Sequence, residues 1–466
     1  MFFYGIQLIG FFREDARVKL VMVHGWSVTD TRVYGGLPEA LARFAPESLA
    51  LDIEHIFLGR YISFNDEVRI TDVADAFERA RQERLQDERF AVVTHSTGAP
   101  VIRTWLARYY AALPQGEQGQ KALNQCPLSH LIMLAPANHG SALAQLGKSR
   151  LGRLKSWFDG VEPGQQILDW LELGSQGQHQ LSRYWLSQNP VADGLYPFVI
   201  SGETIDSNLY DFLNSYTAEP GSDGVVRLAG ANLNYRSLEL AETPTLDDTG
   251  RAELSITADV MAPACGFEVL PRASHSGNKL GIMTSVNGRS PKPKPVVSRI
   301  LQCLQVGSAG DYSALCQKMA DSRPRTGPRF TQLVVRLWDN EGEPIRDFDF
   351  LLLAGPDYDP GKLPKGFFQD RQKNQRSGNA LTLYLNHDRM LKTAQGCWGF
   401  RIIPRPDRGL AHYRQVEFRC AGHLADYLVA DQTLMLDVHL TRHLHPHVFS
   451  LTGANEQGDF RQLAEV

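Results

Sequence analysis

Five short runs of almost uninterrupted apolar residues set the strongest limit on how this chain can fold. They are residues 18–26 (VKLVMVHGW), 48–53 (SLALDI), 89–94 (RFAVVT), 130–135 (HLIMLA) and 196–201 (YPFVIS). Runs of this length without polar alternation suit strands covered on both faces, as in a parallel sheet. Between them lie stretches of helical period. In TDVADAFERARQERL, Val73, Ala76, Phe77 and Ala80 share one face. In APVIRTWLARYYAAL, Val101, Ile102, Trp105, Leu106 and Tyr109 form one stripe. Strand, loop and helix in alternation predict an α/β fold with a mostly parallel sheet.

Two regions break this rhythm. Residues 141–195 are rich in Gly, Gln, Ser and Leu with helical pieces, as expected of a cap or lid inserted over a site. Residues 306–329 are polar and end in a Pro/Gly/Arg-rich stretch, which reads as a linker. Beyond it, FTQLVVRLWD, DFDFLLLAG, ALTLYLN, CWGFRIIP, RQVEFRC and QTLMLDVHL are short strand-like runs separated by turns. The expected organisation is a catalytic domain over 1–305, a linker over 306–329 and a β-sandwich-like accessory domain over 330–466. The opening MFFYGIQLIGFF lacks the basic and small-residue features of a secretory signal and reads as a first strand over Phe2–Phe12.

Charge and composition exclude some partners. The 466 residues carry a formal net charge of −4, so no basic excess points to nucleic acid. No apolar stretch reaches the roughly 18 residues of a membrane span. The expectation is a protein without a spanning segment, either cytoplasmic or exported without a Sec-type signal. None of the six cysteines forms a C-x-x-C pair, and they read as buried thiols. The histidines of LTRHLHPHV (His443, His445 and His447, with His439 just before) have no acidic or cysteine partner nearby in sequence. Neither a metal nor a cofactor is expected.

The chemistry concentrates in FAVVTHSTGAPVIRTWL. A buried strand runs into His95-Ser96-Thr97-Gly98 and a helix follows at once, which is the setting of a nucleophile elbow. Gly98 and Ala99 give the small side chains such a bend requires on the helix side, while Thr94 departs from the usual glycine before the nucleophile. A serine hydroxyl needs a base and an anion site to act at neutral pH. The loop after VMVHGW offers the Trp26 amide as one oxyanion donor, and Thr97 offers the second. Gly25 permits the close turn, and His24 reads as an anchor of that loop rather than as the base.

In this fold order the acid follows the serine and the histidine comes last. AEPGSDGVVRLAGANL presents Asp223 in a tight loop, and VLPRASHSGNKLGIM presents His275 in a small-residue loop. Asp206 rivals Asp223, with Asp193 and Asp211 weaker, and the S-D-G sequence would favour an Asx turn on its own account. His139 and His179 precede the acid and fail the order. The expected lid contributes Trp157, Trp170 and Trp185 as an apolar inner surface for substrate.

With these residues in place, the sequence resembles the lipase-like branch of the α/β hydrolases. The matching motifs are H-G-W, T-H-S-T-G, A-P-A-N-H-G-S at 135–141 and S-D-G-V-V at 222–226. The third is similar to the loop opening the lid region in bacterial lipases and in enzymes that deacylate glycolipid anchors. The fourth is similar to the acid-bearing loop of bacterial lipases. The resemblance covers about residues 15–300. It implies a serine carboxylic ester hydrolase acting on lipid or other acyl esters, a lipase or phospholipase that makes transient contact with a membrane surface. The alternatives are a secreted antibacterial lipase effector whose β domain binds a delivery or immunity protein, and a non-catalytic binding protein of the same fold.

Overall fold

The computed structural model describes residues 17–24, 34–63, 65–110, 121–145, 164–205, 219–322, 327–392, 397–421 and 426–449. The expected strand at Phe2–Phe12 lies outside them. Among the described residues, β1 (Val18–Val23), β2 (Leu51–Ile56), β3 (Phe90–His95), β4 (Leu128–Leu134), β5 (Tyr196–Gly202) and β8 (Gly266–Leu270) form one sheet. Its order is β2-β1-β3-β4-β5-β8, and every neighbouring pair is parallel. Four of the five apolar runs fall on β1, β3, β4 and β5, the run at 48–53 overlaps the start of β2, and the reason is visible in the core. Leu20 and Met22 of β1 enter one apolar cluster while Val21 and Val23 enter the other. Ala91 and Val93 of β3 part from Phe90 and Val92 in the same way. Helices Ile70–Arg84 and Gly98–Tyr109 supply one cluster, and Leu37–Phe44, Pro295–Leu304 and Ala309–Asp321 supply the other.

A second sheet has nine strands. They are β6 (Arg236–Leu246), β7 (Ala252–Met261), β9 (Phe330–Asp339), β10 (Phe348–Ala354), β11 (Phe368–Lys373), β12 (Ala380–Asn386), β13 (Cys397–Pro404), β15 (Val416–Ala421) and β16 (Thr433–Leu440). A two-residue ladder joins β14 (Ala411–His412) to β17 (His443–Leu444). The nine-strand order is β10-β13-β15-β7-β6-β16-β9-β12-β11, with parallel pairing at β15–β7, β6–β16 and β16–β9. Phe350 of β10 and Leu383 of β12, near opposite ends of that order, share one core with Leu238, Leu333 and Leu436. The sheet therefore curls on itself. The all-β unit is this single mixed sheet rather than two stacked ones.

The chain crosses between the sheets more than once, which corrects two expected boundaries. The hairpin β6–β7 lies inside residues 1–305 yet pairs with β16 and β15 of the second sheet. The region read as a linker holds the helix Ala309–Asp321, which buries Tyr312, Leu315 and Met319. Its start is capped by Ser308, whose hydroxyl accepts from the Asp311 amide at 3.1 Å. Tyr312 Oη donates to Pro197 O at 2.8 Å, tying the helix to β5.

One charged group ties the Asp223-bearing segment to the second sheet. Arg227 is buried and forms a two-pronged bond to Glu219, each arm 2.8 Å. It also pairs with Asp370 of β11, and its guanidinium lies 4.3 Å from the centre of the Tyr384 ring. Removing one partner of a buried ion pair leaves the other charge uncompensated. Arg227→Met should therefore lower stability by about 3 kcal/mol, measured by urea denaturation. An unchanged midpoint would mean that solvent already screens Glu219 and Asp370.

Candidate active site

β3 ends at His95, and the chain turns sharply at Ser96 before the helix Gly98–Tyr109 begins. Ser96 has φ +53°, a left-handed conformation that costs a non-glycine residue about 1–2 kcal/mol. The bend is held by the Ser96 amide donating to Leu134 O at 3.0 Å. It also needs Gly98, because a Cβ there would lie 2.9 Å from His24 O and 3.0 Å from Val23 O. Thr94, standing where the usual motif has glycine, is fully buried between Val23 of β1 and Met133 of β4. Thr97 is buried at the helix start.

Asp223 and His275 meet. Asp223 is 0% exposed and His275 5%, and Asp223 Oδ2 lies 3.0 Å from His275 Nδ1. The other carboxylate oxygen accepts from the amides of Val225 at 3.0 Å and Val226 at 2.8 Å. The Asx turn suggested by S-D-G and the contact to the imidazole are thus both present, one on each oxygen. The two loops also share a backbone bond, His275 N to Asp223 O at 3.0 Å. The base loop can approach β5 only because of Gly202, where a Cβ would sit 2.1 Å from Ala273 O.

His275 is seated beside the elbow through the residue before Ser96. His95 Nε2 donates to His275 O at 3.1 Å, and the ring centroids are 4.7 Å apart. Burial, and next the neighbouring His275, push the His95 imidazole down to about 3, so it stays neutral. Among the described residues no hydrogen bond joins Ser96 Oγ to His275. Ser96, Asp223 and His275 follow the carboxyl ends of β3, β5 and β8, one edge of the parallel sheet, where ligands of such sheets gather.

The remaining expected site residues divide. Gly25, Trp26 and Trp157 lie outside the described residues, as do the rival acids Asp206 and Asp211. His24 is buried with its ring stacked on Phe57 at 6.1 Å. Trp170 and Trp185 do not form the inner wall of a lid. Trp185 is 0% exposed beneath the Arg103 guanidinium at 5.3 Å. Trp170 is buried apart from an edge on a cleft shared with Asn374 and Arg376 of the second sheet's unit, which contains neither Ser96 nor His275. Both tryptophans belong to the core on one face of the parallel sheet because the helices Gln165–Leu171 and Gln176–Leu186 pack onto it.

Several supporting residues escaped the sequence reading. In A-P-A-N-H-G-S, Ser141 Oγ donates to Val225 O at 2.7 Å and Asn138 Nδ2 donates to Ala231 O at 2.7 Å. The motif thus braces the acid loop. From the second sheet, Tyr384 Oη donates to Pro220 O at 3.0 Å, and Thr433 Oγ1 donates to Ala229 O at 2.9 Å. His443 finds an acidic partner after all, Glu242 at 3.2 Å, supplied by β6. Cys126, Cys265, Cys303, Cys316 and Cys397 are free thiols. Among the described residues no helix is long and apolar enough to cross a membrane.

The chain is similar over nearly its full length to the phospholipase PlaB from Legionella pneumophila, with 38% identity and a TM-score of 0.82. The match covers 94% of this chain and 96% of that one. A second structure of that enzyme, in complex with thio-NAD, matches with the same identity, coverage and TM-score. The mature lipase BlEst2 of Bacillus licheniformis matches at 17% identity over 47% of this chain and 80% of its own, with a TM-score of 0.34. No protein-family model matches the sequence, and a search of curated proteins finds no relative.

Proposed function

We propose that this chain, which belongs to the PlaB phospholipase family, cleaves phospholipid esters by two-step acyl transfer at Ser96. It is a serine carboxylic ester hydrolase of the lipase and phospholipase type. The observation that carries the assignment of roles is the Asp223–His275 pair, buried and joined at 3.0 Å beside a serine held at positive φ.

In the first step His275 Nε2 takes the Ser96 proton as Oγ attacks the ester carbonyl. The Nδ1 proton points at Asp223, which fixes the tautomer and stabilises the imidazolium. The tetrahedral oxyanion rests on the Thr97 amide, at the positive end of the Gly98–Tyr109 helix, with the Trp26 amide as its second donor. His275 then protonates the departing alcohol. Water repeats the sequence on the acyl-enzyme and releases the fatty acid. Substrate binding closes the Ser96–His275 contact, since such bonds are often long in the empty site.

A fluorophosphonate probe tests the nucleophile directly. Wild-type protein should take up one label, on the peptide containing Ser96, and Ser96→Ala should take up none. A label on a different serine ends the assignment.

A further inference from the structure

The segment that carries His275 has a charge pattern the reaction does not use. From Pro271 to Pro295 it contains Arg272, Lys279, Arg289, Lys292 and Lys294 and no Asp or Glu. Among the described residues none of these five forms an ion pair. The fold turns this segment into one wall of a cavity of about 390 Å³. Leu270, Ala273, Leu280, Ile282 and Val296 make it apolar inside, and Arg272, Lys279 and Lys294 stand in its lining. It adjoins the His275 loop: Ala273 and Leu280 are in its lining, and the Ser274 amide, next to His275, donates to Leu280 O at 2.9 Å.

Lys294 is the informative member. It occupies the N-cap of the helix Pro295–Leu304, where a cation opposes the helix dipole and an oxygen-bearing cap would be favoured. Its ammonium donates to Ser285 Oγ at 2.7 Å, and burial alone pushes its pKa down. A residue that works against its own helix, partly desolvated and with no carboxylate paired to it among the described residues, marks a place where local stability yields to a ligand. The cavity requires an occupant that is apolar along its length and negative at its end.

Resting on the ester hydrolase reading, we propose that this cavity holds an anionic phospholipid of the target bilayer, its acyl chain on Leu280 and Ile282 and its phosphate on Arg272, Lys279 and Lys294. The bound lipid docks the protein with its base loop against the membrane and so delivers substrate to Ser96. Enzyme activity should then depend on the charge of the surface as well as on the ester.

The test uses phosphatidylcholine vesicles with or without about one third phosphatidylglycerol. Each basic side chain at an anionic surface strengthens adsorption by about fivefold, so two removed charges cost on the order of 25-fold. Vesicle flotation is read on Ser96→Ala protein, so that binding is judged independently of the chemistry. That protein should float with the anionic vesicles and not with the neutral ones. Adding Arg272→Gln and Lys279→Gln, both exposed, should weaken vesicle binding by about 25-fold, and in the wild-type background the same pair should leave hydrolysis of a soluble p-nitrophenyl ester unchanged. Lys294→Gln should weaken flotation further. Arg289→Gln with Lys292→Gln changes the same charge outside the cavity lining and should matter little. Equal losses from both pairs would mean a diffuse basic face and overturn the site. So would flotation that ignores phosphatidylglycerol.

Discussion

Ser96→Ala should lower kcat for ester hydrolysis by roughly 10⁴–10⁶, leaving only the anion site and binding to act. The thermal melt should stay close to that of wild type. The reason lies in the bend. Position 96 is left-handed at φ +53°, and alanine keeps the same strain as serine. Ser96→Gly should be equally inactive yet more stable, by up to about 1 kcal/mol, because glycine adopts that conformation without a Cβ clash. Turnover of phospholipid and of a soluble ester, with calorimetry on all three proteins, checks both halves. Full turnover by Ser96→Ala would remove the serine from the chemistry.

Asp223→Asn should cost about 10⁴ in kcat with little change in fold. The two amides of Val225 and Val226 already donate to one oxygen of Asp223. They force the asparagine carbonyl to take that place, so its NH₂ must face His275 Nδ1. The ring then carries its proton on Nε2, where it cannot accept one from Ser96. Backbone contacts of the loop, such as His275 N to Asp223 O, are untouched. Steady-state kinetics and a circular dichroism spectrum decide the matter. A loss of tenfold or less would show that another carboxylate orients the ring.

The parallel sheet was legible because both faces of its inner strands β3, β4 and β5 are covered, so these are mostly apolar, whereas the edge strand β2 carries Asp52, Glu54 and His55 and is half-buried. The bend at Ser96 and the two loops that bring Asp223 against His275 were legible because their signals are local: a strand running into a helix, a tight S-D-G loop, a small-residue loop. The hairpin β6–β7 was not. Its choice of sheet depends on pairing with Thr433–Leu440, far away in the chain. The helix Ala309–Asp321 did leave a signature, with Ser308 as cap and Tyr312, Leu315 and Met319 at helical spacing, but its polar remainder masked it. Trp170 and Trp185 show a different limit. An apolar helix face declares that it must be buried, and periodicity alone does not say against which surface.

The placement of β16 has a consequence for how the protein is made. It stands between β6 and β9, so neither can be joined to the other until residues 433–440 have emerged. Thr433, at the start of that strand, also helps hold the segment behind Asp223. A ribosome delivers the chain from its N-terminus, and the elbow and the histidine loop are out long before this strand. In a nascent chain the segment behind Asp223 therefore lacks this buttress until residues 433–440 are out.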